Sequence, residues 1–192
     1  MISFQSFRQL LIGDRSIRRF EENKKINYET LLQLVELTRY CSSGRNLQPL
    51  KYKIIFKEEE CEKVFPLLAW AGYLTDWDGP EQGERPAAYL VQCIDKELAS
   101  DCLCDDGLQL QAITLGARAL GIGCCIIKAF NSPKLKEVLR LPEQMEPIYV
   151  LAMGYPAEFP EIEDFKGDIK YYRTEDGRHH VPKKSLEDLI LP

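Results

Sequence analysis

Apolar and polar positions alternate between two periods along this chain. A helical spacing covers residues 4–11. Residues 28–40 follow as a second helix, with Asn27 placed to cap it, Glu29 in its positive first turn, and Tyr28, Leu31, Leu32 and Val35 on one face. The period changes to two over 51–56, where Tyr52, Ile54 and Phe56 share a side, and this predicts a strand. A helix is expected over 58–71, then a long aromatic loop over 72–86 with Trp70 and Tyr73 at its edge and Trp77 inside. Residues 87–94 read as a buried strand. The stretch 105–120 is helical and apolar on most of its circumference: Leu108, Leu110, Ala112, Ile113, Leu115, Ala119 and Leu120. A helix of that kind is buried on several sides, in a core or at a subunit interface. Gly121-Ile122-Gly123 ends it and a strand runs over 124–127. Ser132 is placed to cap a short helix with Pro133 at its first position, and 147–154 is a further apolar strand. Residues 162–192 read as a polar tail with a late amphipathic stretch at Leu186, Leu189 and Ile190.

Helices and strands mixed in this order, with connections that suit antiparallel pairing, predict an α+β sheet with helices packed on it. The chain of 192 residues is long enough for one sizeable core, so 1–192 is read as a single domain. The dense helix at 105–120 leaves apolar surface uncovered in a monomer, which favours a homodimer.

A net charge of −5 argues against a general nucleic-acid-binding face, because phosphate-backbone binding wants a basic domain or stripe. The N-terminus lacks the charged start and apolar run of a secretion signal, and no apolar stretch is long enough to span a bilayer. The expectation is a cytoplasmic protein with no membrane partner. The seven cysteines are odd in number and lack paired CxxC spacing, so they read as small buried hydrophobes in a reducing compartment. His179-His180 has no ligand partner at metal spacing and reads as a surface loop, with no metal expected.

Two segments carry candidate chemistry. Asp14-Arg15-Ser16-Ile17-Arg18-Arg19-Phe20 holds three arginines and a serine. Guanidinium forks pair with phosphate and a hydroxyl adds a donor, so the heptad is open to two readings, a phosphate-binding segment or a solvated basic loop. Ser42-Ser43-Gly44-Arg45-Asn46-Leu47-Gln48-Pro49 combines small residues, which admit a ligand to the backbone, with amides that both donate and accept. It suits the N1, O2, N3-H, O4 and N5 edge of an isoalloxazine, and it is also compatible with an ordinary polar turn.

Taken together and in this order, the two segments resemble the FMN-dependent nitroreductase family of NAD(P)H-dependent oxidoreductases. That family begins with a basic-Arg-Ser-x-Arg-x-aromatic motif and continues with Ser-x-x-Asn-x-Gln-Pro leading into a strand. The resemblance extends through Leu120-Gly121-Ile122-Gly123 and the basic segment Pro182-Lys183-Lys184-Ser185-Leu186. It implies a three-layer sandwich, a mainly antiparallel sheet flanked by helices, in an intertwined homodimer with FMN at the interface. Arg15, Ser16 and Arg18 are then expected to meet FMN from one subunit, and Ser42, Ser43, Gly44 and Asn46 from the other. Ile126, Ile127 and Lys128 are expected along the ring by backbone, and Lys183 and Lys184 at the phosphate. Trp70, Tyr73 and Trp77 are candidates for the substrate pocket, or for packing of the dimer core. No side chain is expected to act as a nucleophile or proton relay, since hydride transfer is the cofactor's chemistry.

The resemblance implies that NADH or NADPH reduces the flavin and that a small-molecule electron acceptor, such as a nitroaromatic or quinone, reoxidises it. A dehalogenase-like or flavin-consuming enzyme, or a flavin-binding protein without catalysis, remain alternatives on the same fold. The absence of a GxGxxG fingerprint after a strand favours FMN over FAD. Two departures stand out: Asp14 where many members carry a first Arg, and Lys128-Ala129 where small or acidic residues are common.

Overall fold

The computed structural model describes residues 1–191. It is an α+β fold built on a four-stranded antiparallel sheet of order β1-β2-β4-β3. The strands are β1 Leu50–Ile55, β2 Ala88–Asp95, β3 Gly123–Ile127 and β4 Met145–Gly154. Every residue of β2 is buried, which fits a central strand covered on both faces. Pairing of β2 with β4 slips at Gln92/Cys93, beside Pro147, which has no N–H to give the ladder.

Alternation along the strands divides the core in two. Ala88, Leu90, Leu151, Met153 and Cys124 pack with Leu31 and Leu34 of α2 (Tyr28–Glu36) and with Leu110, Ile113 and Ala117 of α4 (Asp105–Ala119). On the other face Tyr89, Val91, Val150, Ala152, Cys125 and Ile127 pack with Val64 of α3 (Glu58–Val64), Leu135 of α5 (Ser132–Leu139), and Ile17 and Phe20 of the N-terminal loop. Helix α1 (Phe4–Gly13) buries none of its own residues and leaves Phe4, Phe7, Leu11 and Ile12 exposed. Among the described residues no helix is long and apolar enough to cross a membrane.

Several elements differ from the sequence reading. Helix α2 is capped by Asn27, whose Oδ1 accepts the Thr30 N–H at 2.7 Å, but it gives way to a 3-10 turn at Leu37–Tyr40. Its inward stripe is Leu31 and Leu34, while Tyr28 and Leu32 of the expected face are exposed. Helix α3 stops at Val64 instead of reaching Ala71, because Pro66 in the following 3-10 turn Phe65–Leu67 cannot continue the ladder. The cap of α5 is Asn131, which accepts the Lys134 N–H at 3.1 Å, whereas Ser132 is the first helical residue and donates to Glu146.

The largest difference is at the C-terminus. The expected polar tail folds into a second sheet, β5 Glu161–Asp164, β6 Tyr172–Arg173 and β7 His179–Lys183, in the order β5-β7-β6. His180 stacks on Tyr172 across the β6–β7 pair, with centroids 5.0 Å apart. The late amphipathic stretch forms only a 3-10 turn at Glu187–Leu189, and Leu186, Leu189 and Ile190 stay exposed.

Candidate functional site

The heptad 14–20 runs along the outer edge of β3. Ile17 N–H donates to the Cys124 carbonyl at 2.9 Å, and Ile17 and Phe20 enter the core. Alternation then turns Ser16 outward and leaves Arg18 half-buried. Gly123 permits this approach: a Cβ there would lie 2.7 Å from Ile17 Cγ1. Gly121, at φ +75°, ends α4 in the left-handed region.

A cavity of about 180 Å³ opens beside this edge, lined by Asp14, Arg15, Ser16, Gln111, Thr114, Cys124 and Ile126. Three expected site residues, Arg15, Ser16 and Ile126, therefore meet there. Arg15 Nη2 donates to the Leu11 carbonyl at 3.0 Å, while its Nε is buried with no protein partner. Asp14 Oδ2 accepts from Thr114 Oγ1 at 2.6 Å and Gln111 Nε2 at 2.8 Å, so this departure from the motif ties the loop to α4. Ile127 points into the core. Lys128 is exposed, with Nζ 5.3 Å from the Tyr149 ring centroid.

The loop 41–49 is held at the start of α4. Ser43 Oγ donates to Asp105 Oδ2 at 2.6 Å and accepts the Gln48 N–H at 2.9 Å, and Gly44 N–H donates to Asp105 Oδ1 at 2.9 Å. Ser42 and Asn46 remain exposed. Arg45, Asn46 and Gln48 adopt φ of 54°, 57° and 51°, a run of left-handed non-glycine residues that the surrounding bonds must hold in place. Asp105 is the anchor that sequence reasoning missed; its signal is an acidic residue opening a helix whose positive end faces a loop rich in donors.

The two segments do not meet within one subunit. Asp105 and Thr114, which hold them, are separated by about 13 Å of helical rise along α4. Nor do Lys183 and Lys184 reach the cavity contacts here. Both are exposed, and Lys183 sits opposite Asp164 at the end of β7, about 13 Å of strand beyond His179.

Arg18 does not line the cavity next to Ser16. Its Nη1 lies 3.5 Å from the Ser16 carbonyl oxygen and 3.4 Å from His179 Nε2, and its Cζ sits 4.6 Å from the Tyr171 ring centroid. His179 is thus no surface loop. It is 1% exposed, in β7, because its ring stacks on Tyr171 beneath the small sheet. Glu158 accepts the Arg18 N–H at 2.6 Å and the Arg173 Nη2 at 2.7 Å. Neither Glu158 nor the pairing of Arg18 with the tail was visible in the sequence.

The aromatic candidates separate. Trp70 is buried among core residues, 6.1 Å from the Phe65 ring and 6.5 Å from Trp77. Trp77 is half-buried under Arg173, whose Cζ is 4.3 Å from its ring. Tyr73 is exposed and lies 5.0 Å from Tyr171, which links it to the Arg18 cluster.

Burial and the neighbouring Arg18 guanidinium push His179 down to about 4 from the usual 6.5. Burial above all, with Arg19 and Arg18 against the pull of Glu158, lowers Arg173, and burial is the main cause that raises the Cys124 and Cys125 thiols, which suits inert core cysteines. The folded His179 stays neutral where an unfolded histidine takes a proton. Its contribution is therefore intact above pH 6.5 and is lost as pH falls from 6.5 towards 4. Thermal unfolding of wild type and His179→Gln between pH 4 and 7 should show a steeper acid decline in the wild type, and parallel curves would show that His179 does not carry the effect.

The family model for the nitroreductase family matches residues 13–92 and 103–155, more than half of the chain, and the chain belongs to that family of oxidoreductases. A Bacillus subtilis (strain 168) protein that bears the assigned name NAD(P)H nitroreductase YdgI is 25% identical over an alignment covering 82% of this chain and 92% of that protein. A second protein of that organism, named FMN reductase (NADPH), is 23% identical, with 89% of this chain and 77% of the relative covered. A solved nitroreductase-like protein from Streptococcus mutans shares the fold with a TM-score of 0.71 at 15% identity, over 87% of this chain and 96% of that one.

Proposed function

We propose that this chain is an FMN-dependent oxidoreductase that takes hydride from NADH or NADPH and reduces a nitroaromatic, quinone or similar electrophilic small molecule, the two substrates using one site in turn. Its working form on this reading is an intertwined homodimer of three-layer subunits. The observation that carries the proposal is the placement of two flavin-suited segments at separate points along α4, one held by Asp105 at its start and the other by Gln111 and Thr114 past its middle, with about 13 Å of helical rise between Asp105 and Thr114. A second copy supplies the missing half. The exposed apolar face of α1 and the exposed Leu186, Leu189, Ile190 and Leu191 offer the surface such a pairing buries.

The residues present fit the cofactor. At the cavity, the buried and unpartnered Nε of Arg15 and the exposed Ser16 hydroxyl form a cation-plus-hydroxyl donor set suited to an anionic oxygen. Asp14, an anion tied to Thr114 and Gln111, is no phosphate ligand, so on this reading the phosphate falls to Arg15, and Lys183 and Lys184, which lie away from this cavity in their own subunit, reach it from the second copy. Bound FMN supplies the hydride-accepting chemistry. The 42–46 loop, locked by Asp105, offers Ser42 and Asn46 outward to a ring edge. Tyr73 is the aromatic face open to a planar substrate, packed on Tyr171, while Trp70 and Trp77 pair with each other away from it.

The purified protein should be yellow, release FMN on heating, scatter light as a dimer, and oxidise NAD(P)H with menadione or nitrofurazone as acceptor. No flavin after reconstitution, FAD in place of FMN, or a monomer in the presence of flavin would defeat the proposal. Tight flavin binding without NAD(P)H oxidation would favour a binding protein.

A further inference from the structure

The family match ends at residue 155, and the small sheet beyond it converges on one side chain. Tyr171 places its ring face against the Arg18 guanidinium, Cζ to centroid 4.6 Å. His179 stacks on Tyr171 at 5.4 Å and brings Nε2 to 3.4 Å from Arg18 Nη1. Glu158 fixes the Arg18 backbone N–H, and Tyr73 closes over Tyr171 from the aromatic loop, its N–H 3.4 Å from Tyr171 Oη. An arginine with no such neighbours keeps its rotamer freedom and loses it on meeting a ligand; here that ordering is done at folding. Nη1 is engaged by Ser16 and His179, and the guanidinium also borders the buried Cys125 thiol, which it hydrogen-bonds.

We propose that Tyr171 and His179 are positioning residues for Arg18, holding its guanidinium in one place so that a fixed cation is presented to an electron-rich ligand edge. On the flavin reading above, on which the choice of ligand rests, that edge is the pyrimidine side of the ring. The imidazole accepts from Arg18 only while neutral, and the groups facing it are Arg18, Glu158, Arg173, His180 and Tyr171. Burial and the two arginines outweigh Glu158, and the ring stays neutral near pH 7.

The test has two arms. In the flavin-free protein, an NMR titration of His179 in wild type and Arg18→Ala reads the contact directly. Removal of the guanidinium should raise the His179 pKa by roughly one unit, and an unchanged value overturns the proposal. In the second arm, dissociation constants for oxidised and reduced FMN are measured for His179→Leu, His179→Gln, Tyr171→Leu and Tyr171→Phe. The leucine variants should weaken reduced FMN about tenfold more than oxidised FMN. Gln keeps an acceptor and Phe keeps the ring face, so those two should stay within about twofold of wild type. Lower unfolding midpoints with an unmoved reduced-to-oxidised ratio would mean a structural role alone and overturn the proposal. If wild type binds no flavin in either state, the functional reading fails, and the titration still decides whether His179 positions Arg18.

Discussion

Glu158→Ala is expected to destabilise the fold by about 3–5 kcal/mol, the range for removing one partner of a buried ion pair. The Glu158 and Arg173 side chains are 6% and 12% exposed and meet at 2.7 Å. Truncation leaves Arg173 with a charge in a desolvated place, its Nε already without a partner and the Trp77 face as its remaining support. The same substitution removes the acceptor of the Arg18 N–H, a further loss of about 1–3 kcal/mol if water does not replace it. Glu158→Met combined with Arg173→Met removes both charges and should recover much of the loss, because a buried pair replaced by apolar volume is often neutral. Recovery should stay incomplete, since the Arg18 N–H remains unpaired. Urea unfolding of the two single variants and the double variant, at constant m-value, measures each contribution. A Glu158→Ala loss below about 1 kcal/mol would place the pair with solvated surface bridges.

The size of that effect bears on which parts of the molecule the sequence discloses. Strands β2, β3 and β4 and helix α4 were legible because their apolar runs are long and their faces are set by one local period. The small C-terminal sheet was not. Its strands are short and mostly polar, and what holds them is a set of pairings distant in sequence: Glu158 with Arg18, Arg18 with Tyr171 and His179, and Arg173 with Trp77. No local window contains both members of such a pair. The dipeptide His179-His180 looked like surface because histidine in a polar segment commonly is, and only stacking on Tyr171 and Tyr172 removes it from water.

The candidate site shows the same division. The residue types of the two motifs were readable, and the structure gathers Arg15, Ser16 and Ile126 around one cavity. The anchors were less readable. Asp14 looked like a lost phosphate ligand, yet Thr114 and Gln111, a hundred residues on, give it a structural task. Asp105, a first-turn charge on α4, went unread, and it fixes Ser43 and Gly44 in a loop whose left-handed residues need that restraint. Helix α2 misled for a related reason. Its sequence allows two adjacent stripes, and the choice of Leu34 over Leu32 is made by α4, whose Gly116 leaves room for Leu34 and Leu37.

Arg18→Ala is expected to weaken binding of reduced FMN by roughly 10–150-fold, from the loss of a charge-assisted hydrogen bond worth about 1.5–3 kcal/mol. Oxidised FMN should lose less. The reduced ring carries negative charge at its N1–O2 edge and the oxidised ring is neutral, so a fixed cation there favours the reduced form. The flavin midpoint potential should therefore fall. Ser16 touches Arg18 through its carbonyl, and the cation is held instead by Tyr171, His179 and the Glu158-bound backbone. Arg18→Lys keeps the charge and loses the planar fork that lies on Tyr171 while reaching His179, so its potential should lie between those of wild type and Arg18→Ala. A contact with the phosphate alone predicts something else, because the phosphate has the same charge in both redox states. Both affinities then fall together. Potentiometry with saturating FMN separates these outcomes: an Arg18→Ala potential equal to wild type assigns Arg18 to the phosphate, and a lower one assigns it to the ring.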